Sequence, residues 1–299
     1  MKIPPTSNME LPLLKVLEEA GGELPYEEAI AKVKERYPDL TDEAKTSTLA
    51  SGGNRLNNRI AWVRQNLVEK GEIDGSTYGV WRITNKGRDR LQKEWSNWKP
   101  EYRELRERIS YNNYIEGAAT EENKSASFLT PEEELDVLNK NMVEKVKSQI
   151  LDKLKQLDAS TFEYVVGQVL EKLGYGSLKN GTIKITGRSG DGGIDGFCSM
   201  DKLGLVKILF QAKRWENNVP PDAVRDFIGA IHNKRASYGL FITTSNFSAQ
   251  SIEEAKQSGY LKLINGEELA TIMIETGLGV KINSLNYYKV DEEYFAGLS

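Results

Sequence analysis

Cysteine and histidine are nearly missing: 299 residues hold one of each, Cys198 and His232. A lone cysteine excludes an intramolecular disulfide framework and fits a reducing cytoplasm, the expected location. One of each also leaves neither a zinc cage nor a Cys–His nucleophile pair. No apolar run approaches the ~20 residues that span a bilayer, and the N-terminus has no signal-peptide core, so no membrane partner is expected. A basic surplus is missing too. The net charge of −4 argues against indiscriminate coating of nucleic acid. The charge is unevenly spread, however. Residues 51–95 carry 9 Lys/Arg against 5 Asp/Glu, whereas residues 1–50 carry 6 against 10. A phosphate-facing surface is therefore sought in the basic segment.

The chain is long enough for two cored domains. Leu13, Leu14, Leu17 and Ala20 share one face of a first helix that ends at Gly21-Gly22. A second helix follows Pro25 and stops before Pro38. A third, from about Asn54 to Lys70, repeats Leu56, Ile60, Val63 and Leu67 at helical spacing. Arg55, Asn58, Arg59, Gln65 and Asn66 lie off that stripe. A hairpin turns at Asp74-Gly75 and returns over Tyr78 to Thr84. Helices followed by a hairpin predict a winged helix-turn-helix over residues 1–95. Arg55, Asn58 and Arg59 are the expected base-edge or phosphate contacts, with Arg82, Lys86 and Arg88 beside the wing. Residues 96–150 read as a helical and polar linker. It includes a charged helix over Glu101–Ile109, a polar loop to Leu129, and a helix capped by Thr130 with Pro131 at its first position.

The chemistry concentrates in residues 151–299, on two stretches. Gly190-Asp191-Gly192-Gly193-Ile194-Asp195-Gly196 places carboxylates among glycines that permit tight turns. Phe210-Gln211-Ala212-Lys213-Arg214 ends an apolar strand. Strand residues two apart share a face, so Gln211 and Lys213 point one way and Ala212 the other. A turn between the two strands would bring Asp195 beside Gln211 and Lys213. A carboxylate, an amide oxygen and an ammonium at one spot can hold a divalent cation and a water against a phosphodiester. Asp191 reads as a turn former and His232 as an ordinary surface group. The hydroxyls of Thr243-Thr244-Ser245 read as cap donors more readily than as phosphate ligands.

These stretches resemble the catalytic domain of the Mrr-like restriction endonucleases, type IV enzymes within the PD-(D/E)xK superfamily. Phe162-Glu163, Leu173-Gly174-Tyr175, Phe227-Ile228-Gly229-Ala230 and Phe241 to Ser248 extend that resemblance. Asn58-Arg59-Ile60-Ala61-Trp62-Val63-Arg64 and Gly79 to Gly87 resemble the N-terminal domain of the same family. The resemblance implies an α/β chain: a winged-helix domain followed by a restriction-endonuclease-like domain whose central mixed sheet is flanked by helices. It implies a Mg2+-dependent endonuclease, with Mn2+ able to replace Mg2+, that restricts methylated foreign double-stranded DNA as a homodimer or higher oligomer. Asp195, Gln211 and the Ala212 carbonyl would hold the cation, Lys213 would orient the attacking water, and Glu163 would assist from the preceding helix. Arg188 and Arg214 would reach DNA phosphates or form ordinary charge pairs. Gln211 stands where the broader superfamily has an acid, which leaves one negative charge fewer at the cation. Two further readings stay open: a structure-selective repair or recombination nuclease, and a DNA-binding protein with an inactive nuclease fold. A protein-interaction role for the winged helix is a third.

Overall fold

The computed structural model describes residues 1–77, 79–104, 129–186, 193–199, 201, 206–284, 286–288 and 290. The chain forms two compact units, residues 1–142 with the tail from Asn286, and Val143–Leu285. Among the described residues no helix is long and apolar enough to cross a membrane.

The first unit runs β1 (Lys2–Ile3), α1 (Thr6–Glu19), β2 (Glu23–Pro25), α2 (Tyr26–Glu35), α3 (Asp42–Thr46), α4 (Arg55–Glu69), β3 (Ile73–Asp74), β4 (Val80–Ile83), α5 (Asn85–Glu94) and β5 (Arg103–Glu104). Strands β2, β4 and β3 form a small antiparallel sheet in that order. Helix α4 starts where the Asn54 side chain accepts a hydrogen bond from the Asn57 N–H at 3.0 Å, an N-cap that satisfies one orphan donor. Its stripe Leu56, Ile60, Val63 and Leu67 is fully buried against Leu13 and Leu17 of α1. Three helices with a β3–β4 hairpin make the winged helix-turn-helix arrangement. The charged helix expected from Glu101 is not formed over its described part. Residues 103 and 104 instead pair antiparallel with β1, because the chain's first strand offers an open edge there. The remainder of that expected helix, and most of the polar loop after it, lie outside the described residues.

Helix α6 (Pro131–Gln156) opens on a reciprocal cap. The Thr130 hydroxyl accepts from the Glu133 N–H at 3.4 Å, and Glu133 Oε2 accepts from the Thr130 N–H at 2.9 Å. The division between the two units falls inside this helix, at Met142–Val143.

The second unit continues with α7 (Ala159–Lys172), β6 (Ile183–Ile185), β7 (Gly196–Ser199), β8 (Lys207–Lys213), α8 (Pro221–Asn233), β9 (Tyr238–Thr243), α9 (Ala249–Ser258), β10 (Leu261–Ile264) and α10 (Gly266–Glu275). The five strands lie in the order β10-β9-β8-β7-β6. Pairs β8–β9 and β9–β10 are parallel, while β6–β7 and β7–β8 are antiparallel. Strand alternation sorts side chains between two layers of helices. Ile208, Phe210 and Ala212 pack with Phe162, Val166 and Leu269 on one face. Leu209 and Phe241 pack with Phe227 and Ala255 on the other.

Candidate active site

Asp195 stands one residue ahead of β7, at the point where β7 stops pairing with β8. Its backbone is held on both sides. Its N–H donates to the Phe210 carbonyl at 3.0 Å, and its carbonyl accepts from Thr186 N–H at 2.8 Å. Beyond that last rung, the Ala212 N–H of β8 has no strand partner on the β7 side. The Asp195 carboxylate takes its place, with Oδ2 accepting from Ala212 N at 2.7 Å. Because a strand residue's N–H and C=O share one edge, the Ala212 carbonyl faces the same gap. Cys198, the lone thiol, is buried in the core behind.

Gln211 is only 5 % exposed, and its Oε1 is a buried acceptor with no hydrogen-bond donor among the described residues. Such an atom costs free energy unless a donor or a cation completes it. Its amide is seated against Gly193. That glycine adopts φ +81°, and a Cβ there would collide with Gln211 Nε2. The tight glycine turn therefore does two things: it directs Asp195 into the sheet and it leaves room for the Gln211 side chain. Lys213 ends β8. Its carbonyl accepts from the Thr243 hydroxyl at 2.8 Å and from Thr244 N–H at 3.3 Å. The hydroxyls of Thr244 and Ser245 bond the carbonyls of Trp215 and Glu216. This row of hydroxyls stitches the segment after Lys213 to the end of β9, and it does not cap a helix. The cap of α9 is Ser248.

The charges of the site interact. Burial pushes the Asp195 carboxyl above its ordinary value, while the Ala212 N–H and the Lys213 ammonium pull it back. Burial, then the Asp195 charge, pushes the Glu163 carboxyl of α7 upward, with Lys213 opposing. The Glu163 carboxyl thus feels both the Asp195 charge and the Lys213 ammonium. Two half-buried carboxyls whose raised proton affinity one ammonium only partly offsets, with an orphaned amide oxygen on the neighbouring strand, leave the region short of positive charge. The donors are oxygen atoms, the set a hard divalent cation prefers. No group of three carboxylate, imidazole or thiolate side chains able to hold a metal occurs among the described residues. A cation here would rely on Asp195, Gln211 Oε1 and the Ala212 carbonyl, and the residues fit it. When bound, it would supply charge for the phosphodiester oxygens and acidify a water.

The expected DNA contacts of the first unit need correction. Arg55, Asn58, Arg59 and Trp62 share one face of α4, but the first turn of α6 covers it. Arg59 has no exposure. Its Nε donates to Glu133 Oε1 at 2.9 Å, its Nη2 lies 2.9 Å from Oε2, and its Nη1 donates to the Pro4 carbonyl at 2.8 Å. Arg55 Nη1 bonds Glu133 at 3.1 Å, and its Nη2 lies 3.6 Å from Asp136. Asn58 Oδ1 accepts from the Thr130 hydroxyl at 2.8 Å, and Trp62 Nε1 donates to Glu132 at 2.6 Å. A buried, doubly bonded guanidinium is a structural group, so this face is not a DNA-reading surface as folded. Several other basic residues of 51–95 are likewise matched, by carboxylates inside the segment and from elsewhere in the unit. Arg82 pairs with Glu23 and Asp74, Arg88 with Glu18, and Arg90 with Glu10 and Glu72. Lys86 donates to the Lys70 carbonyl at 2.7 Å. In the second unit Arg214 is exposed, but its Nη1 donates to the Lys155 carbonyl at 2.6 Å. Arg188 and Asp191 lie outside the described residues. His232 is exposed, as expected of a surface group. Sequence reasoning missed Gly193 and Thr243 as supports of the site and Glu133 as the hub of the first unit.

A carboxylate, an amide and a lysine at the end of a mixed, helix-flanked sheet, together with a winged-helix unit, define the class: a nuclease of the restriction-endonuclease type. The comparisons agree. The family described as "Restriction endonuclease" matches residues 154–273, and the Mrr N-terminal domain matches residues 7–93. A relative from Escherichia coli (strain K12), the type IV methyl-directed restriction enzyme EcoKMrr, is 32% identical over 271 residues, 86% of this chain and 87% of the relative. The chain belongs to the Mrr family of restriction endonucleases. Two solved structures show a weaker likeness: MspJI restriction endonuclease with a 27-mer oligonucleotide (26% identity, 43% of this chain and 31% of that one, TM-score 0.34), and the DNA modification-dependent restriction endonuclease AspBHI (14%, 81% and 78%, TM-score 0.35). Both scores are too low to carry argument.

Proposed function

We propose that the protein is a Mg2+-dependent endonuclease that hydrolyses the backbone of methylated foreign double-stranded DNA. The orphaned, buried Gln211 Oε1, one residue before the Ala212 N–H that holds the Asp195 carboxylate, supports this reading best. Those two oxygens and the Ala212 carbonyl would hold the cation, with Mn2+ as a substitute. Lys213, anchored through its carbonyl, orients the attacking water and steadies the charge that grows on the phosphate. Glu163 holds or relays a proton at the edge of the site, and its raised affinity for protons suits that role. Arg82 is half-exposed, and surface ion pairs are worth little, so it can exchange its carboxylates for a DNA phosphate. Lys86 and Arg214 serve as further phosphate contacts. Cutting both strands takes two such sites, so the working form holds at least two copies. A single buried thiol suits the reducing cytoplasm, where invading DNA is met.

The test is incubation with Mg2+ and plasmids of defined methylation. Cutting confined to methylated plasmid, and lost in Lys213→Ala while DNA binding persists, is the expected result. Cutting of branched or nicked DNA whatever its methylation replaces this reading with a structure-selective nuclease. Binding without cutting by the parent protein replaces it with an inactive nuclease fold.

A further inference from the structure

With one polar face of α4 sealed by α6, the helix keeps a second face open. Asn57, Ala61, Arg64 and Gln65 recur at helical spacing and share this side, turned away from both the buried stripe and α6. Asn57 and Ala61 are exposed; Arg64 and Gln65 are half-buried. The face carries no carboxylate between Asn57 and Val68. Arg64 is the one arginine of α4 that makes no ion pair among the described residues. Its Nε is unbonded, and its Nη1 lies 3.4 Å from Gln65 Oε1. The Gln65 amide leans on Glu69 at 3.3 Å, at the far end of the helix. The wing turn lies beside this face because Gly75 permits it. A Cβ at Gly75 would come within 2.9 Å of Val68 Cγ1 and 3.7 Å of Arg64 Nη2.

We propose that duplex DNA is read by this open face of α4, through Asn57, Ala61, Arg64 and Gln65 beside the wing, and not by Arg55, Asn58 and Arg59. The residue types match the donor and acceptor code of the major groove. Asn and Gln bond an adenine edge, Arg bonds a guanine edge, and an alanine methyl packs on a pyrimidine 5-methyl. A small residue at the centre of the face lets the helix backbone approach the bases. Arg64, which forms no close ion pair among the described residues and feels only the Asp74 charge of the wing, supplies positive charge where the sealed face has spent its own. The inference rests on the reading that the substrate is duplex DNA.

The test uses the full chain and a methylated duplex fragment from a plasmid that the parent cuts, with affinity measured without metal and cut sites mapped with Mg2+. Ala61→Trp adds bulk at an exposed position and should lower affinity at least tenfold with thermal unfolding unchanged. Arg64→Ala should weaken binding about 5- to 150-fold and alter the ranking of cut sites mapped by sequencing fragment ends. Parent-like affinity and cut sites in both variants overturn the assignment alone, as does a shift in cut sites on Asn58→Ala that Arg64→Ala does not produce. A parent that binds no duplex overturns the proposed function as well.

Discussion

Replacing Gly193 by alanine separates the chemistry of the site from the stability of the fold. The backbone there has φ +81°, so any Cβ brings strain of about 1–2 kcal/mol. The new methyl would also overlap Gln211 Nε2 and sit 3.2 Å from its Cδ. Nε2 is the end of a side chain, so the amide can swing aside at modest cost to folding. It must retreat by roughly 1 Å, and a displacement of that size at a catalytic group lowers turnover ~10²-fold. Gly174→Ala is the control: it has φ +87°, similar strain, and nothing within 4 Å of a new Cβ. Both variants should lose similar thermal stability. Only Gly193→Ala should lose Mg2+-dependent cutting of methylated plasmid and the stabilisation conferred by added Mg2+, which at a hundredfold excess over Kd amounts to ~2.7 kcal/mol in the parent. Parent-like cutting and parent-like Mg2+ stabilisation in Gly193→Ala would refute the assignment of Gln211.

Other outcomes follow from the same geometry. Asp195 binds its proton more tightly folded than unfolded, so its contribution to stability is fullest below the ordinary carboxyl value and declines as pH rises toward the raised one. Asp195→Asn should therefore stabilise the metal-free protein near neutral pH and flatten that decline; thermal unfolding across pH, compared with the parent, checks it, and a destabilised variant at neutral pH contradicts it. Arg59→Met removes the main partner of the buried Glu133 and should cost about 3–5 kcal/mol in denaturant unfolding of the first unit; a loss under 1 kcal/mol would mean that the pair is dispensable. Thr243→Val deletes the hydroxyl that holds the Lys213 carbonyl. It should cost roughly 1 kcal/mol of stability yet lower kcat with KM little changed; an unaltered kcat removes Thr243 from the positioning of Lys213.

The placement of Asp195, Gln211 and Lys213 along the strands was legible because its logic is local. A strand repeats every two residues, so Gln211 and Lys213 had to share a face with Leu209. A short antiparallel return had to set the residues before β7 against the end of β8. The order of helices and strands followed from apolar periodicity and from caps such as Thr130, although the cap of α9 proved to be Ser248 and not Thr243-Thr244-Ser245. The supports of the site were less legible. That Gly193 makes room for an amide eighteen positions later, or that the Thr243 hydroxyl fastens the Lys213 carbonyl, depends on strand neighbours that composition does not announce.

The face of α4 failed for a different reason. Spacing along a helix states which side chains lie together, and Arg55, Asn58, Arg59 and Trp62 do lie together. It says nothing about what covers them. The covering residue, Glu133, sits 74 positions after Arg59, and its visible role in the sequence is as an acid in the first turn of α6. That role is real, since its carboxylate receives the Thr130 N–H, and the same carboxylate then neutralises Arg59 and Arg55. One acid that closes a helix end and a buried ion pair at once turns a face that looks built for phosphate into an internal joint. The surplus of positive charge in a segment is therefore poor guidance to a DNA surface when acids distant in sequence, such as Glu133, Glu10, Glu18 and Glu23, help to match it. A better guide is the cation that forms no ion pair among the described residues, and on α4 that cation is Arg64, with only the more distant Asp74 charge acting on it.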